Sequence, residues 1–365
     1  MKLKCSRSEL LDGFSLVSRA ITTKSILPIL SGISVKANDT VELVATDLEM
    51  SIITSISSNV LEKGSSVLPA RLTIDILKNL PEAAVNIDAD EESGSAKITC
   101  GKSRFNIKIL SNKDFPSLPE IKSEKKIMLK QNAFNEVAHQ VVKSASSDES
   151  RPILTGVLFS LKEGVVDLVT TDSYRPARST MRVMGEGEYE VIIPAKAVGE
   201  VGRTQPKGDD EELEIVVEEN QVKFNCVGYS LISRLIAGSY PPYKQLIPNT
   251  FSTDVEVERT EFEEAIKRVK TVAVDNVPLK LSITSNNMVL SANSREVGEA
   301  VEEIKVKTEG SDIEIAFNPD YLLDGVLAIQ GEKILLKLDT PLKSGLMRSF
   351  DNDNFTYLLM PVRVG

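Results

Sequence analysis

Tryptophan is absent, histidine occurs once, cysteine three times, and aromatic residues make up 5% of the 365-residue chain. Each shortage excludes something. A single histidine, His139, with no matching nucleophile or second ligand, rules out a histidine-based triad and a histidine-rich metal site. Cys5, Cys100 and Cys226 are odd in number, far apart and without a CxxC pair, which excludes a disulfide framework and a cysteine zinc site. No run of about 18 apolar residues is available to cross a bilayer, and the first residues lack the apolar core of a signal peptide. The expected compartment is therefore the cytoplasm. Basic residues are outnumbered, 43 Lys and Arg against 53 Asp and Glu. The net charge of −10 argues against broad nucleic-acid binding unless the basic residues are gathered in one place.

What the chain does have is a threefold repeat. Pro28-Ile29-Leu30-Ser31-Gly32-Ile33 returns as Pro152-Ile153-Leu154-Thr155-Gly156-Val157 and, more faintly, as Pro278-Leu279-Lys280-Leu281-Ser282-Ile283. Leu43-Val44-Ala45-Thr46-Asp47 returns as Leu168-Val169-Thr170-Thr171-Asp172 and Val289-Leu290-Ser291-Ala292-Asn293. Pro69-Ala70-Arg71, Pro194-Ala195-Lys196 and Asn318-Pro319-Asp320 keep the same beat, each opening a helical pattern. A period this long describes domains with their own cores rather than solenoid units. Proline-stiffened connectors at 116–124 and 241–248 put the boundaries near 124 and 248, so three domains are expected over 1–124, 125–248 and 249–365.

Within each repeat the pattern is α+β. Apolar stripes at spacings of three and four mark helices over 7–20, 69–80, 131–144, 194–207, 259–272 and 318–330. Ser8, Gln131-Asn132 and Thr260 lie near helix starts, where capping residues belong. Short alternating runs broken by Gly, Asn and Asp mark antiparallel hairpins. The expected unit is two helices packed on one face of an antiparallel sheet.

Three motifs invite chemistry and do not carry it. Gly101-Lys102-Ser103 imitates the end of a phosphate-binding loop. Position 96 is alanine where that loop needs glycine, and the tripeptide falls between two strand patterns, so a hairpin turn is expected. His139 is expected on a polar helix face. Asp47, Glu49 and Asp172 end a repeated strand, where bracing a turn is the simpler role. No catalytic constellation, metal site or cofactor site remains, and no enzyme activity is expected. The six helical stretches hold 12 Lys and Arg against 10 Asp and Glu, mildly basic within an acidic chain. Their clusters are Lys196, Arg203, Lys207; Lys267, Arg268, Lys270; and Arg19, Lys24, Arg71, Lys78. The terminal Met360-Pro361, just beyond a strand pattern, reads as an exposed and adaptable contact surface.

Leu27-Pro28-Ile29-Leu30, Ala45-Thr46-Asp47-Leu48-Glu49-Met50, Thr171-Asp172-Ser173-Tyr174-Arg175, Tyr240-Pro241 with Leu246-Ile247-Pro248, and Met360-Pro361-Val362-Arg363 together resemble the bacterial DNA polymerase III β subunit family, the sliding clamps. The resemblance spans the whole chain. It implies a head-to-tail homodimeric ring that encircles double-stranded DNA without reading sequence and has no membrane role. It also implies tethering of the DNA polymerase III catalytic subunit, the clamp loader and other polymerases and repair proteins. Carried over by motif, the partner-peptide pocket comprises Leu154, Thr171, Ser173, Tyr174, Arg175, Pro176, Pro241, Leu246, Leu342, Ser344, Leu358, Met360, Pro361, Val362 and Arg363. Ser173-Tyr174-Arg175-Pro176 stands where the family commonly has Gly-His-Arg-Leu. DNA contacts are expected from Lys24, Arg71, Arg151 and Lys196, with Lys24 in place of a common arginine. The rival readings are a fused three-domain enzyme and a structural oligomer unrelated to DNA. The missing catalytic set speaks against the first; the basic helices and the Met-Pro tail speak against the second.

Overall fold

The computed structural model describes residues 1–22, 27–121, 126–183, 187–248, 250–274 and 277–363. Among the described residues there are six helices, α1 (Arg7–Val17), α2 (Ala70–Asn79), α3 (Gln131–Val142), α4 (Ala195–Val201), α5 (Arg259–Lys270) and α6 (Pro319–Ala328). Helix starts follow local chemistry. Ser6, not Ser8, caps α1: its Oγ accepts from Glu9 N–H at 3.2 Å, and Glu9 three residues on completes a capping-box spacing. Asn318 caps α6, its Oδ1 accepting from Asp320 and Tyr321 N–H. Two helices end three or more residues before their sequence patterns do. α1 tightens into a 3-10 turn over Ser18–Ala20, where Ser18 Oγ donates to Ser15 O at 2.8 Å. α4 stops at Gly202, whose added Cβ would lie 2.8 Å from Ala138 Cβ on α3. The close approach of the two helices leaves room only for glycine.

The hairpins also follow from turn chemistry. Glu163 and Gly164 both have positive φ (51° and 73°), the two-residue I′ pattern joining Gly156–Lys162 to Val165–Thr170. Gly101-Lys102 is a two-residue turn between Ser95–Cys100 and Ser103–Lys108, with only Gly101 at positive φ (55°), the II′ pattern. The Gly-Lys-Ser motif is thus a hairpin turn and not a phosphate loop.

Among the described residues the strands form four antiparallel sheets. An eight-stranded sheet runs in the order Lys126–Lys130, Glu212–Val217, Gln221–Cys226, Tyr229–Arg234, Met50–Ile56, Val41–Thr46, Gly32–Ala37, Gly64–Pro69. A nine-stranded sheet runs Tyr189–Pro194, Gly156–Lys162, Val165–Thr170, Ala177–Arg182, Phe355–Leu359, Gly345–Ser349, Lys333–Leu338, Thr253–Glu258, Lys307–Gly310. A five-stranded sheet ends on Ser103–Lys108, and a four-stranded sheet begins on Gly298–Lys305. The two largest sheets therefore cross the repeat boundaries. The last strand of the second repeat pairs with Met50–Ile56 of the first, and the last strand of the third pairs with Ala177–Arg182 of the second.

The chain forms two compact units, Met1–Asn132 with Arg203–Leu235, and Ala133–Gly202 with Ile236–Gly365. In the first unit α1 buries Leu10, Phe14 and Val17 against α2 and the strands over 41–56. In the second, α5 buries Phe262, Ala265, Ile266 and Val269 against α6 and the strands over 287–305. Periodicity of three to four residues on the helices and of two on the strands puts these apolar faces together. His139 is exposed on α3, as its place on the polar face requires.

Gly325, inside α6, tests how tightly the second unit is packed. An added Cβ would meet Met347 Cε at 2.4 Å and Tyr357 Cε1 at 2.6 Å. Glycine to alanine in a helix interior ordinarily stabilises by about 1 kcal/mol. Here Tyr357 is fully buried, and its hydroxyl donates to Tyr321 O at 2.7 Å, so the ring cannot yield cheaply. Gly325→Ala is expected to destabilise by about 1–2 kcal/mol net, as overpacking does. Urea unfolding with an unchanged slope and a lower midpoint is the expected record; a raised midpoint would show that the ring moves aside.

Candidate partner-binding site

The wall of the site is the turn 171–176. Thr171 Oγ1 accepts from Ser173 N–H at 3.0 Å, and Asp172 Oδ1 accepts from Tyr174 and Arg175 N–H at 2.9 and 3.1 Å. Ser173 takes a positive φ of 84° to close the turn. The first repeat builds the same device. Thr46 Oγ1 accepts from Leu48 N–H, Asp47 Oδ1 accepts from Glu49 and Met50 N–H, and Leu48 has φ 77°. Both aspartates brace turns, and among the described residues no group of His, Cys, Asp and Glu is arranged to hold a metal ion.

Arg175 locks this wall in place. Its Nε donates to Asp172 Oδ2 at 2.8 Å, one terminal nitrogen to Asp324 Oδ2 on α6 at 2.5 Å, and the other to Lys143 O at 2.8 Å. Its guanidinium lies 4.2 Å from the centroid of the Tyr321 ring, and Tyr174 stacks on the same ring at 6.5 Å. Burial pushes the Tyr357 phenol well above its usual pKa, so it stays a donor to Tyr321 O. Tyr174 itself is 57% exposed, a planar apolar surface held from behind.

The tail closes onto this wall. Leu358 N–H donates to Pro176 O at 2.8 Å and Met360 N–H to Tyr174 O at 2.9 Å. Val362 N–H then donates to Ala316 O at 2.8 Å, which lays the last residues along the strand Ile313–Phe317. A cleft of about 660 Å³ opens there, lined by Leu342, Val362 and Arg363 together with Lys280, Glu314, Ile315, Ala316 and Pro341. Leu342 is 67% exposed, Met360 and Pro361 are half-buried, and Ser344 and Leu358 are buried.

The remaining site residues are placed by two 3-10 turns. Leu154 is buried in Pro152–Thr155, and its carbonyl accepts from Ser146 N–H. Leu246 ends Tyr243–Leu246 and is exposed, while Pro241 O accepts from Tyr243 N–H at 2.7 Å. Tyr243 packs in a cluster with Leu158, Val169 and Ile192, with Tyr240, Ile153 and Ile236 against it. That anchor holds the connector and so presents Pro241 and Leu246.

Of the residues expected at DNA, Arg151 lies beside the partner site. It pairs with Asp148 at 3.0 Å and donates to Ser173 Oγ at 3.3 Å. Arg71 and Lys196 are exposed near the starts of α2 and α4, and Lys24 lies outside the described residues. The basic cluster of α5 is neutralised within its own unit. Lys267 pairs with Glu263, Arg268 with Glu264 and Glu302, and Lys270 with Asp320. Sequence reasoning missed Tyr321 and Asp324, which support the wall from α6. Their signal was present, a tyrosine and an aspartate three apart on one helix face, but their target 149 residues away was not.

Sheets that run from one repeat into the next define the class: a chain of clamp-type domains in series. Three family models match in series, for the N-terminal domain (residues 1–119), central domain (128–242) and C-terminal domain (244–363) of the DNA polymerase III beta subunit. The chain is 31% identical over 377 residues to the beta sliding clamp of Streptomyces coelicolor and 32% over 389 residues to that of Synechocystis, with 100% of each chain covered. Its fold matches the crystal structure of the Bacillus subtilis DNA polymerase sliding clamp with a TM-score of 0.94 at 30% identity, covering 100% of both chains. The Thermotoga maritima beta subunit matches with a TM-score of 0.91 at 26% identity, again over 100% of both. The chain belongs to the DNA polymerase III beta subunit family, the β sliding clamps.

Proposed function

We propose that this chain is a DNA sliding clamp for replication. It closes as a head-to-tail dimer around duplex DNA and tethers the DNA polymerase III catalytic subunit, the clamp loader and other replication and repair proteins at the Tyr174–Met360 site. It works by topology, without catalysis, in the cytoplasm. The three domains divide near 124 and 248, each with two helices on antiparallel sheet.

One observation carries the ring. The last strand of the second and third repeats each pairs with the middle sheet of the repeat before it. By the same rule Ser103–Lys108, last strand of the first repeat, should pair with Gly298–Lys305 of the third, yet each is an edge strand in a separate sheet. The first edge bears Arg104 and Lys108 with Phe105 exposed; the second bears Glu299 and Glu303 with Val301 exposed. Opposite charge and unpaired backbone suit a contact between two copies, where open edges would otherwise invite aggregation. Light scattering should give twice the 40.0 kDa chain mass. Arg104→Glu with Lys108→Glu should shift the protein to monomer, and a dimer unmoved by the double reversal would place the interface elsewhere.

The DNA reading rests on family membership and on exposed Arg71 and Lys196 near helix starts. A basic lining attracts phosphate without reading bases, and an acidic exterior discourages binding from outside. The test is retention of polymerase on a primed circular template after ATP-driven loading. Arg71→Ala with Lys196→Ala should impair retention while leaving the dimer intact. Tight, sequence-selective binding to a short linear duplex would overturn the reading.

A further inference from the structure

The repeat that builds the tail site also builds a second cleft, in the first unit. Glu49 and Tyr174 occupy equivalent places in their turns, and the end of the last strand of the next repeat reaches each in the same way. Arg234 N–H donates to Glu49 O at 2.9 Å, as Met360 N–H donates to Tyr174 O at 2.9 Å. The connector Pro116-Ser117-Leu118-Pro119 stands where Pro241 to Leu246 stands in the second unit. A cleft of about 540 Å³ lies between this connector, the 46–51 turn and residues 232–235. Its size is that of a ligand pocket.

Turn closure explains the backbone here, but not the choice of two side chains. Leu48 is 44% exposed and holds a φ of 77°, a conformation that leucine rarely adopts and that glycine or asparagine would adopt at less cost. Solvent-exposed leucine in a strained backbone adds nothing to the core. Arg234 is the second. Its side chain is 66% exposed and only approaches Glu49, at 3.9 Å, so its guanidinium has a planar fork of donors beside an apolar floor of Leu118, Ile232 and Leu235. Met360, its counterpart, offers no such group.

We infer that this cleft is a second peptide-docking site, for an extended segment of a partner protein that carries a leucine-like anchor and a nearby carboxylate. The anchor packs on Leu48 and Leu118, and the carboxylate takes the Arg234 fork in place of the loose contact to Glu49. The two sites then differ at equivalent positions: Tyr174 and Met360 in one, Glu49 and Arg234 in the other. The inference rests on reading the tail pocket as a peptide site only for the analogy, and the experiment reports on each site separately.

The probe is acetyl-Gly-Leu-Ser-Asp-Gly-amide, with the Asn peptide as control, titrated to millimolar concentration into full-length protein labelled on leucine methyls. Saturable shifts are expected at Leu48, Leu118 and Leu235, and they should persist when residues 360–365 are deleted. Arg234→Gln and the Asn control should each weaken binding at least tenfold. Leu48→Gly should weaken binding while raising the unfolding midpoint, because it removes both the anchor wall and the strain. Shifts confined to Leu342 and Leu358 would overturn the inference and leave the tail site standing. Equal affinity for the Asn peptide, or no shift at Leu48, Leu118 and Leu235, would overturn it as well.

Discussion

Arg175→Ala should lower the unfolding free energy by about 3 kcal/mol, because removing one partner of a buried ion pair strands the other. The Arg175 and Asp172 side chains are only 11% and 12% exposed, and Asp324 is 28% exposed. The guanidinium joins three elements, the 171–176 turn, α6 and the end of α3, and also fills the face of Tyr321. Without it, Asp172 and Asp324 lose the guanidinium they share, and Lys143 lies 3.5 Å from Asp324. Arg175→Lys should recover only part of the loss, since a compact ammonium cannot span acceptors spread around a planar guanidinium or stack on the ring. Urea denaturation measures the stability, and peptide titration on the folded variant measures the wall. A stability within about 0.5 kcal/mol of the parent, the range of a typical surface change, would show that the clamp is decorative.

Deleting residues 360–365 should abolish binding of polymerase and loader peptides while preserving the dimer. The deletion removes the hydrogen bonds to Tyr174 O and Ala316 O together with Val362 and Arg363 of the cleft. Loss of an anchor wall at a small peptide site costs on the order of 2 kcal/mol or more, roughly 30-fold in affinity. The strand Phe355–Leu359 keeps its pairing on both sides, with Ala177–Arg182 and Gly345–Ser349, so the sheet should survive. The proposed interface edges, Ser103–Lys108 and Gly298–Lys305, are untouched. Peptide titration and light scattering on one preparation separate the outcomes. Unchanged affinity would move the pocket elsewhere, and a monomer would give the tail a structural role.

Much of this molecule is decided by neighbours in sequence. Helix faces such as Phe262, Ala265, Ile266 and Val269 announce themselves because a turn of helix brings them together whatever lies beyond. Turns do the same. Glu163-Gly164, Gly101-Lys102 and the two Thr-Asp turns close through their own φ angles and side-chain oxygens, so repetition at the 46 and 171 positions reads directly as repeated structure. The boundary glycines needed tertiary information. Gly202, at the end of α4, leaves room for Ala138 on α3, and no helical pattern records that distance.

What the tertiary structure alone decided is which edges meet and which charges remain free. Alternation along a strand encodes the face that is buried; the backbone groups on its edge are alike in every strand and name no partner. The pairing of Tyr229–Arg234 with Met50–Ile56, and of Phe355–Leu359 with Ala177–Arg182, therefore had no signature in the repeat that supplied it. Charges obey the same limit. Lys267, Arg268 and Lys270 read as a basic patch until the fold set Glu263, Glu302 and Asp320 beside them. Local sequence settles conformation because its forces act within a turn or two. Coulomb and hydrogen-bond partners are settled by distance in space, which only the folded chain sets.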